Sequence, residues 1–234
     1  NGMVHVRGNA MDFENWAQKD LKSWNYNNVL PYFKKSESIS GLDSKYRSDN
    51  GPLKLSRSSE GNVLSKVYLE AAEQAGYEIN NDMNGYKQEG FGLMDTTIFG
   101  GKRQSTSVTY LHPIIKRKNL KVITKTVVHK IMIENNKAVG VEYSQGKRKE
   151  QVYAENEVIL SAGAINSPQL LMLSGVGPAD HLKELDIPIH YNSKGVGENL
   201  QDHLETYLQY ECTKPVTLYT SYNPLKMAMI GLEW

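Results

Sequence analysis

Cysteine is almost absent from this sequence of 234 residues, which contains only Cys212. One thiol cannot form an internal disulfide framework or supply a cysteine-rich metal site. This usage suits a reducing compartment, so we predict a cytoplasmic protein, with association with a membrane left open. Long apolar runs are lacking too, because no run approaches the roughly 20 residues that a helix needs to cross a bilayer.

An excess of charge of one sign is also missing. The chain has 27 Lys and Arg residues against 26 Asp and Glu residues, a formal net charge of +1. The basic residues are dispersed, and the run at 146–150 (GKRKE) is interpreted as a solvated hairpin tip. Without a basic field a polyanion is not attracted, so we predict no nucleic-acid partner.

Metal-binding patterns are weak. His203 lies between Asp202 and Glu205, but three ligands at this spacing do not converge on one face, so we predict no metal. The run at 100–105 (GGKRQS) lacks the spacing of a phosphate loop and is interpreted as a hairpin turn followed by a helix N-cap.

The most informative stretch is residues 158–177, VILSAGAINSPQLLMLSGVG. The apolar run at 158–160 is typical of a strand buried on both faces of a parallel sheet. Ser167 and Pro168 suit the N-cap and first position of a helix, and Gly175 suits its end. A small-residue turn before a helix presents backbone N–H groups to a phosphate or a cofactor edge. A tightly packed β-turn-α unit without a ligand is the alternative.

The rest of the chain predicts a mixture of helices and strands. Helices are expected after an N-cap at Asp12, at 62–76, after an N-cap at Ser105, at 178–185 and at 225–234. Strands are expected at 51–56, at 119–133 and 138–143 around a turn at Asn135 and Asn136, and at 206–212.

Four stretches of the chain resemble one family. Residues 163–177 follow the second signature of the glucose-methanol-choline (GMC) family of flavoprotein oxidoreductases: a small residue, two spacers, Ser-Pro, two aliphatics, then Ser-Gly-aliphatic-Gly. Residues 1–14 (NGMVHVRGNAMDFE) resemble the second half of the family's first signature. Residues 84–92 (NGYKQEGFG) and 195–205 (GVGENLQDHLE) resemble its choline-oxidising members in particular.

The resemblance implies an α/β fold with a substantial antiparallel component, an FAD-binding GMC-type fold in which two domains interleave. Residues 1–60 and 105–205 would belong mainly to the FAD domain, and residues 61–104 and 206–234 to the substrate domain. It also implies a central fragment of a longer protein. The Gly-x-Gly-x-x-Gly dinucleotide fold and the catalytic His would lie outside this chain, which then contains no catalytic residue of its own.

The resemblance further implies a set of FAD contacts. The opening residues would lie across the flavin, a strand would contact the adenine through its backbone, and the turn before the helix would contact the cofactor. In chain order these residues are Asn1, Gly2, Met3, Val4, Val128, Ser161, Ala162 and Gly163. His5 stands where the family has an aromatic residue or Ala, and we interpret it as a packing variant rather than a catalytic residue.

Glu205 is the predicted substrate-binding residue. The quaternary ammonium of choline cannot donate a hydrogen bond, so a site recognises it by a carboxylate, by aromatic faces or by both. In choline-oxidising members the Glu two residues after Asp-His supplies that carboxylate, and Tyr207 or Tyr210 would add an aromatic face. An exposed Glu at the start of a strand is the alternative.

The implied reaction is FAD-dependent oxidation of choline to betaine aldehyde. A His outside the chain would take the hydroxyl proton, and the carbinol hydride would pass to flavin N5, so the isolated chain should not turn over. Two alternatives stay open: an oxidoreductase for a neutral aliphatic or aromatic alcohol, and a non-catalytic relic or interaction fragment. Dioxygen and a respiratory-chain quinone are both open as acceptors, as is peripheral attachment to a membrane.

Overall fold

A computed structural model describes residues 2–57, 63–217 and 222–233 of the chain. The chain divides into two compact units, Asn1–Leu120 with Gln209–Trp234, and Lys121–Leu208. Both contain helices and strands, so the predicted mixed α and β fold is confirmed. These units differ from the predicted FAD-domain and substrate-domain segments, and that assignment stays a prediction.

The helices fall in both units. In chain order they are α1 (Ala10–Gln18), α2 (Tyr26–Ser36), α3 (Val63–Gln74), α4 (Gly163–Leu173), α5 (Ala179–Glu184) and α6 (Pro224–Glu233). Among the described residues, none of these helices is long and apolar enough to cross a membrane.

The start of α1 corrects one prediction. Asn9, not Asp12, is the N-cap, because its Oδ1 accepts a hydrogen bond from the Met11 N–H at 2.9 Å. Asp12 instead accepts from the Asn9 N–H at 3.1 Å, which completes a capping box. The helix therefore begins earlier than expected.

Two other helical predictions are confirmed. Helix α3 ends before Gly76, whose φ of 81° is the left-handed conformation of a C′ residue, and the Tyr77 N–H donates to the Ala72 carbonyl at 2.9 Å. Ser105 accepts a hydrogen bond from the Val108 N–H at 3.2 Å, at the start of a short π-helical turn.

Most strands are short. In chain order they are β1 (Glu37–Ser38), β2 (Leu53–Lys54), β3 (Ser56–Arg57), β4 (Asp95–Thr96), β5 (Ile98–Phe99), β6 (Lys102–Arg103), β7 (Thr126–Glu134), β8 (Lys137–Gln145), β9 (Arg148–Tyr153), β10 (Val176–Gly177) and β11 (Tyr191–Asn192). Strands β1 and β2 pair in parallel, as do β10 and β11, whereas β3 with β4 and β5 with β6 are antiparallel.

The main sheet is an antiparallel meander of β7, β8 and β9 in the second unit. Asn135 and Asn136, with φ of 49° and 61°, form the turn between β7 and β8, as predicted. Ile131 and Tyr143 are buried on this sheet. The sheet supplies one wall of the cavity described below.

Around α4 two predictions are wrong. The helix begins at Gly163 rather than at Ser167, so Pro168 lies inside it, and the Ser167 hydroxyl accepts a hydrogen bond from the Ala162 N–H at 3.1 Å. Residues 158–160 form no strand, and Ile159 is 77% exposed. A strand of a parallel sheet needs at least one partner strand, and none pairs with this run in the described part of the chain.

The C-terminal predictions have mixed outcomes. Residues 206–212 form no strand and pair with none of the strands in the described ranges, so that prediction is wrong. Alternation of side chains does not make a strand without a partner for its backbone groups. The predicted helix near the end of the chain is confirmed by α6.

Candidate cofactor and substrate site

A cavity of about 600 Å³ in the second unit lies between β7, β8, the segment before α4 and α4 itself. Its walls include Val128, Ser161 and Ala162, all predicted FAD contacts, and Gly163 follows directly. Apolar side chains dominate the rest of the lining, with Asn166 as a polar residue of the helix. The structure thus brings together two chain segments that are distant in sequence and share the predicted role.

The N-terminus of α4 is open to a ligand. Ala162 is the N-cap and makes no side-chain cap hydrogen bond to any described residue. Gly163 has a φ of 88°, which favours glycine, and no heavy atom of the described chain lies within 4 Å of where its Cβ would stand. The first N–H groups of a helix have no partner within it, and together with the positive end of the helix dipole they favour an anion at this place. An apolar wall beside such a helix end fits the adenine and phosphates of a dinucleotide.

The predicted flavin contacts at the start of the chain belong to the first unit. Asn1 lies outside the described residues. Gly2 is exposed, and Val4 forms an antiparallel bridge to Thr96. The Met3 carbonyl accepts a hydrogen bond from the Thr97 N–H at 2.8 Å, and Met3 itself has a φ of 62°, which is unusual for a residue with a side chain.

A buried ionic cluster supports this opening segment. Arg7 Nη2 lies 2.7 Å from Glu37 Oε1, and Arg47 Nε lies 2.9 Å from the same oxygen. Arg47 also pairs with Asp95, at 2.8 Å, and with Asp82. Sequence reasoning missed this cluster because its members come from separate loops with no common spacing.

Electrostatics keep the centre of this cluster ionised. Burial alone would raise the pKa of Glu37, but hydrogen bonds from His5 and Arg47 and the charges of Arg7 and Arg47 outweigh it and lower that pKa to about 2. Burial would likewise lower the pKa of Arg47, yet its hydrogen bonds to Glu37 and Asp95 raise it. His5 Nε2 lies 3.5 Å from Glu37 Oε2, a polar contact that its interpretation as a packing variant did not include.

The predicted substrate residue, Glu205, is exposed in the second unit. Its Oε2 accepts a hydrogen bond from the Tyr207 hydroxyl at 2.5 Å, and this bond raises the pKa of Tyr207. Tyr207 is one of the two tyrosines that the sequence placed with Glu205. Among the described residues, no group of three His, Cys, Asp or Glu side chains could hold a metal ion.

Known proteins resemble the whole chain. It is 51% identical over 234 residues to human mitochondrial choline dehydrogenase, covering 39% of that protein. It is 50% identical over 234 residues to the oxygen-dependent choline dehydrogenase of Brucella ovis, covering 42% of it. The chain therefore spans about two fifths of the length of these curated relatives.

Solved structures share its fold. An FAD-dependent oxidoreductase from Chaetomium thermophilum matches 86% of this chain and 37% of its own, with a TM-score of 0.79 and 29% identity. Pyridoxine 4-oxidase from Mesorbium loti matches 82% of this chain and 38% of its own, with a TM-score of 0.76 and 27% identity. The family model described as GMC oxidoreductase matches residues 1–205. The chain therefore belongs to the GMC oxidoreductase family, as its signature residues predicted.

Proposed function

We propose that this chain is part of an FAD-dependent enzyme that oxidises choline to betaine aldehyde. The observation that carries the proposal is the identity of about 50% with choline dehydrogenases along all 234 residues. The family match and the FAD-dependent relative bear out FAD as the cofactor. The choice of choline over a neutral alcohol depends on Glu205.

Bound FAD would supply the hydride acceptor, and the chain's share of the chemistry is binding and orientation. Val128 and its neighbours would form the apolar wall against the adenine, and the N-terminus of α4 would hold the phosphates. Gly2, Met3 and Val4 would lie against the flavin ring. Their hydrogen-bonded pairing with β4 and the residue after it would hold Met3 and Val4 in that position.

Glu205 would recognise the cationic end of the substrate. One carboxylate oxygen already accepts a hydrogen bond from Tyr207, which orients the group, and a carboxylate attracts a quaternary ammonium without needing a donor. The Tyr207 ring would present an aromatic face to the same cation. The hydroxyl proton would leave to a histidine outside this chain, so the chain alone is not expected to turn over.

The test is Glu205→Gln in the complete enzyme that contains this chain, with Glu211→Gln as the matched control. Glu211 is a second exposed glutamate, six residues further along the chain. Substrates are choline and 3,3-dimethylbutan-1-ol, which has the same shape without the charge. We expect kcat/KM for choline to fall about 100-fold in Glu205→Gln, and the neutral alcohol and the control variant to change less than about threefold.

Two other results would contradict parts of the proposal. Equal losses on both substrates would show that Glu205 does not recognise the cation and would favour the neutral-alcohol alternative. A complete protein that binds no FAD would favour the non-catalytic alternative. A cytoplasmic location, the acceptor that reoxidises the flavin, and any attachment to a membrane stay predictions.

A further inference from the structure

The buried side chain of Asn84 is hydrogen-bonded to the opening segment. Only 3% of this residue is exposed. Its Oδ1 accepts from the Arg7 N–H at 2.8 Å, and its Nδ2 donates to the His5 carbonyl at 2.9 Å and to Asp95 Oδ2 at 3.2 Å. The amide thus uses its acceptor and both of its donors on two backbone groups and one buried carboxylate.

The two backbone contacts flank Val6. A carbonyl one residue before Val6 and an N–H one residue after it are the groups that a neighbouring parallel strand would pair with. The Asn84 amide therefore supplies the donor and the acceptor that one residue of such a strand would supply, at a position where no strand of the described residues pairs with Val6. A side-chain amide is a neutral group that can accept at one atom and donate at the other.

The segment is also held by β4 and the residue that follows it. The His5 N–H donates to the Asp95 carbonyl at 2.8 Å, and the Met3 carbonyl accepts from the Thr97 N–H at 2.8 Å. Asp95 takes part in both sets of bonds, because its carbonyl accepts from His5 and its carboxylate accepts from Asn84. Both backbone groups of His5 are therefore engaged, which restrains the position of the residues just before it.

We propose that Asn84 is a positioning residue that fixes Gly2, Met3 and Val4 against the flavin. This proposal rests on the proposed function, because the contact of the opening segment with FAD is itself part of that function. A shift of the segment would change the polarity around the flavin ring and the geometry of hydride transfer, where displacements of about 1 Å can cost 100-fold in rate. It would leave the cation-binding end of the substrate untouched.

The test compares Asn84→Asp and Asn84→Ala with Asn80→Ala in the flavin-loaded complete protein. Asp keeps the size and the acceptor for Arg7, but it loses the donor to His5 and sets a carboxylate beside Asp95. Asn80 is the matched control, because its side chain also makes three hydrogen bonds, to Asp82 N–H and to the carbonyls of Lys87 and Glu89, all within its own loop. Any effect of loosening this loop would appear in both positions.

The readouts are the visible absorption spectrum and midpoint potential of bound FAD, the rate of flavin reduction by choline, and KM. For both Asn84 variants we expect shifted flavin bands, a changed potential and flavin reduction slowed about tenfold or more, with KM within about twofold of wild type. Asn80→Ala should match the wild type in all four.

Wild-type flavin spectra, potentials and reduction rates in both Asn84 variants would overturn the positioning role. So would unfolding of both variants while Asn80→Ala folds, because Asn84 would then act only in folding. If Asn84→Ala fails to fold but Asn84→Asp folds, the same four readouts measured on Asn84→Asp test the proposal. A wild-type protein that binds no FAD would contradict the proposed function itself, which separates the two failures.

Discussion

Glu37 and Arg47 form an ion pair that is closed off from solvent. Arg47 Nε lies 2.9 Å from Glu37 Oε1, and the side chains are 1% and 0% exposed for Arg47 and Glu37. Burying charged side chains away from water costs free energy. Such side chains stabilise a fold only when every charge has a partner. Here the surrounding partners are Arg7, Asp82 and Asp95. The free energy of unfolding of the first unit therefore depends on the whole cluster being intact.

The first prediction concerns the stability of the protein at acidic pH. The pKa of Glu37 is about 2 in the folded protein, against an ordinary value of 4.5, so its stabilising effect is fully present above pH 4.5 and is lost as the pH falls towards 2. A pKa difference of this size corresponds to roughly 3 kcal/mol of folding stability at neutral pH. We expect the free energy of unfolding, measured in urea, to decline over this window. Glu37→Gln should remove this decline, and an equal decline in that variant would contradict the assignment to Glu37.

The second prediction concerns loss of the central cation. Arg47→Met should lower the free energy of unfolding by about 3–5 kcal/mol, because Glu37, Asp82 and Asp95 would be left without their shared partner. The control is Lys66→Met, which breaks an exposed pair with Glu70 and should cost less than about 1 kcal/mol. Urea titrations measure both. Similar losses in the two variants would mean that the buried cluster is no more important than a surface pair.

The third prediction concerns the backbone of Met3, whose φ of 62° suits glycine and is poor for a β-branched residue. Met3→Gly should keep the free energy of unfolding within about 1 kcal/mol of wild type, whereas Met3→Val should lower it by about 1–2 kcal/mol. Val4→Gly, in the bridge to Thr96, serves as the control and should be destabilising. The opposite order for Met3, with Val better than Gly, would show that the left-handed conformation is not adopted.

Features of the fold that depend on one or two neighbouring residues could be predicted from the sequence. The turn at Asn135 and Asn136 and the helix end at Gly76 depend on residues that tolerate positive φ, and both were predicted correctly. The cluster around Glu37 and Arg47 could not be predicted, because its partners meet only after the loops have folded together. The run at 158–160 was wrongly predicted as a buried strand, because an apolar run indicates a strand without showing whether another strand pairs with it, and Ile159 is 77% exposed.

In the candidate site, too, residues within a family motif could be predicted, whereas contacts between distant segments could not. Val128, Ser161 and Ala162 were named from the family resemblance, and the structure lines one cavity with them. Asn84 was within a recognised motif, yet its hydrogen bonds were not predicted, because a buried amide that bonds the backbone of a distant segment leaves no periodic pattern. The start of α4 was misplaced because Ser167 and Pro168 resemble a helix start wherever they occur.

The last prediction separates cofactor binding from stability at α4. Asn166 lines the cavity in the first turn of this helix, where a negative charge interacts favourably with the helix dipole but would repel the phosphates of FAD. Asn166→Asp should therefore keep or raise the stability of the protein and weaken FAD binding about tenfold at low salt, with a smaller loss at high salt. Flavin fluorescence titrations at two salt concentrations measure the affinity. Asn136→Asp adds the same charge at the exposed turn between β7 and β8 and should leave FAD affinity unchanged. Unaltered affinity in Asn166→Asp would mean that the phosphates bind elsewhere, since a charge at this helix end would repel any phosphate that the helix holds.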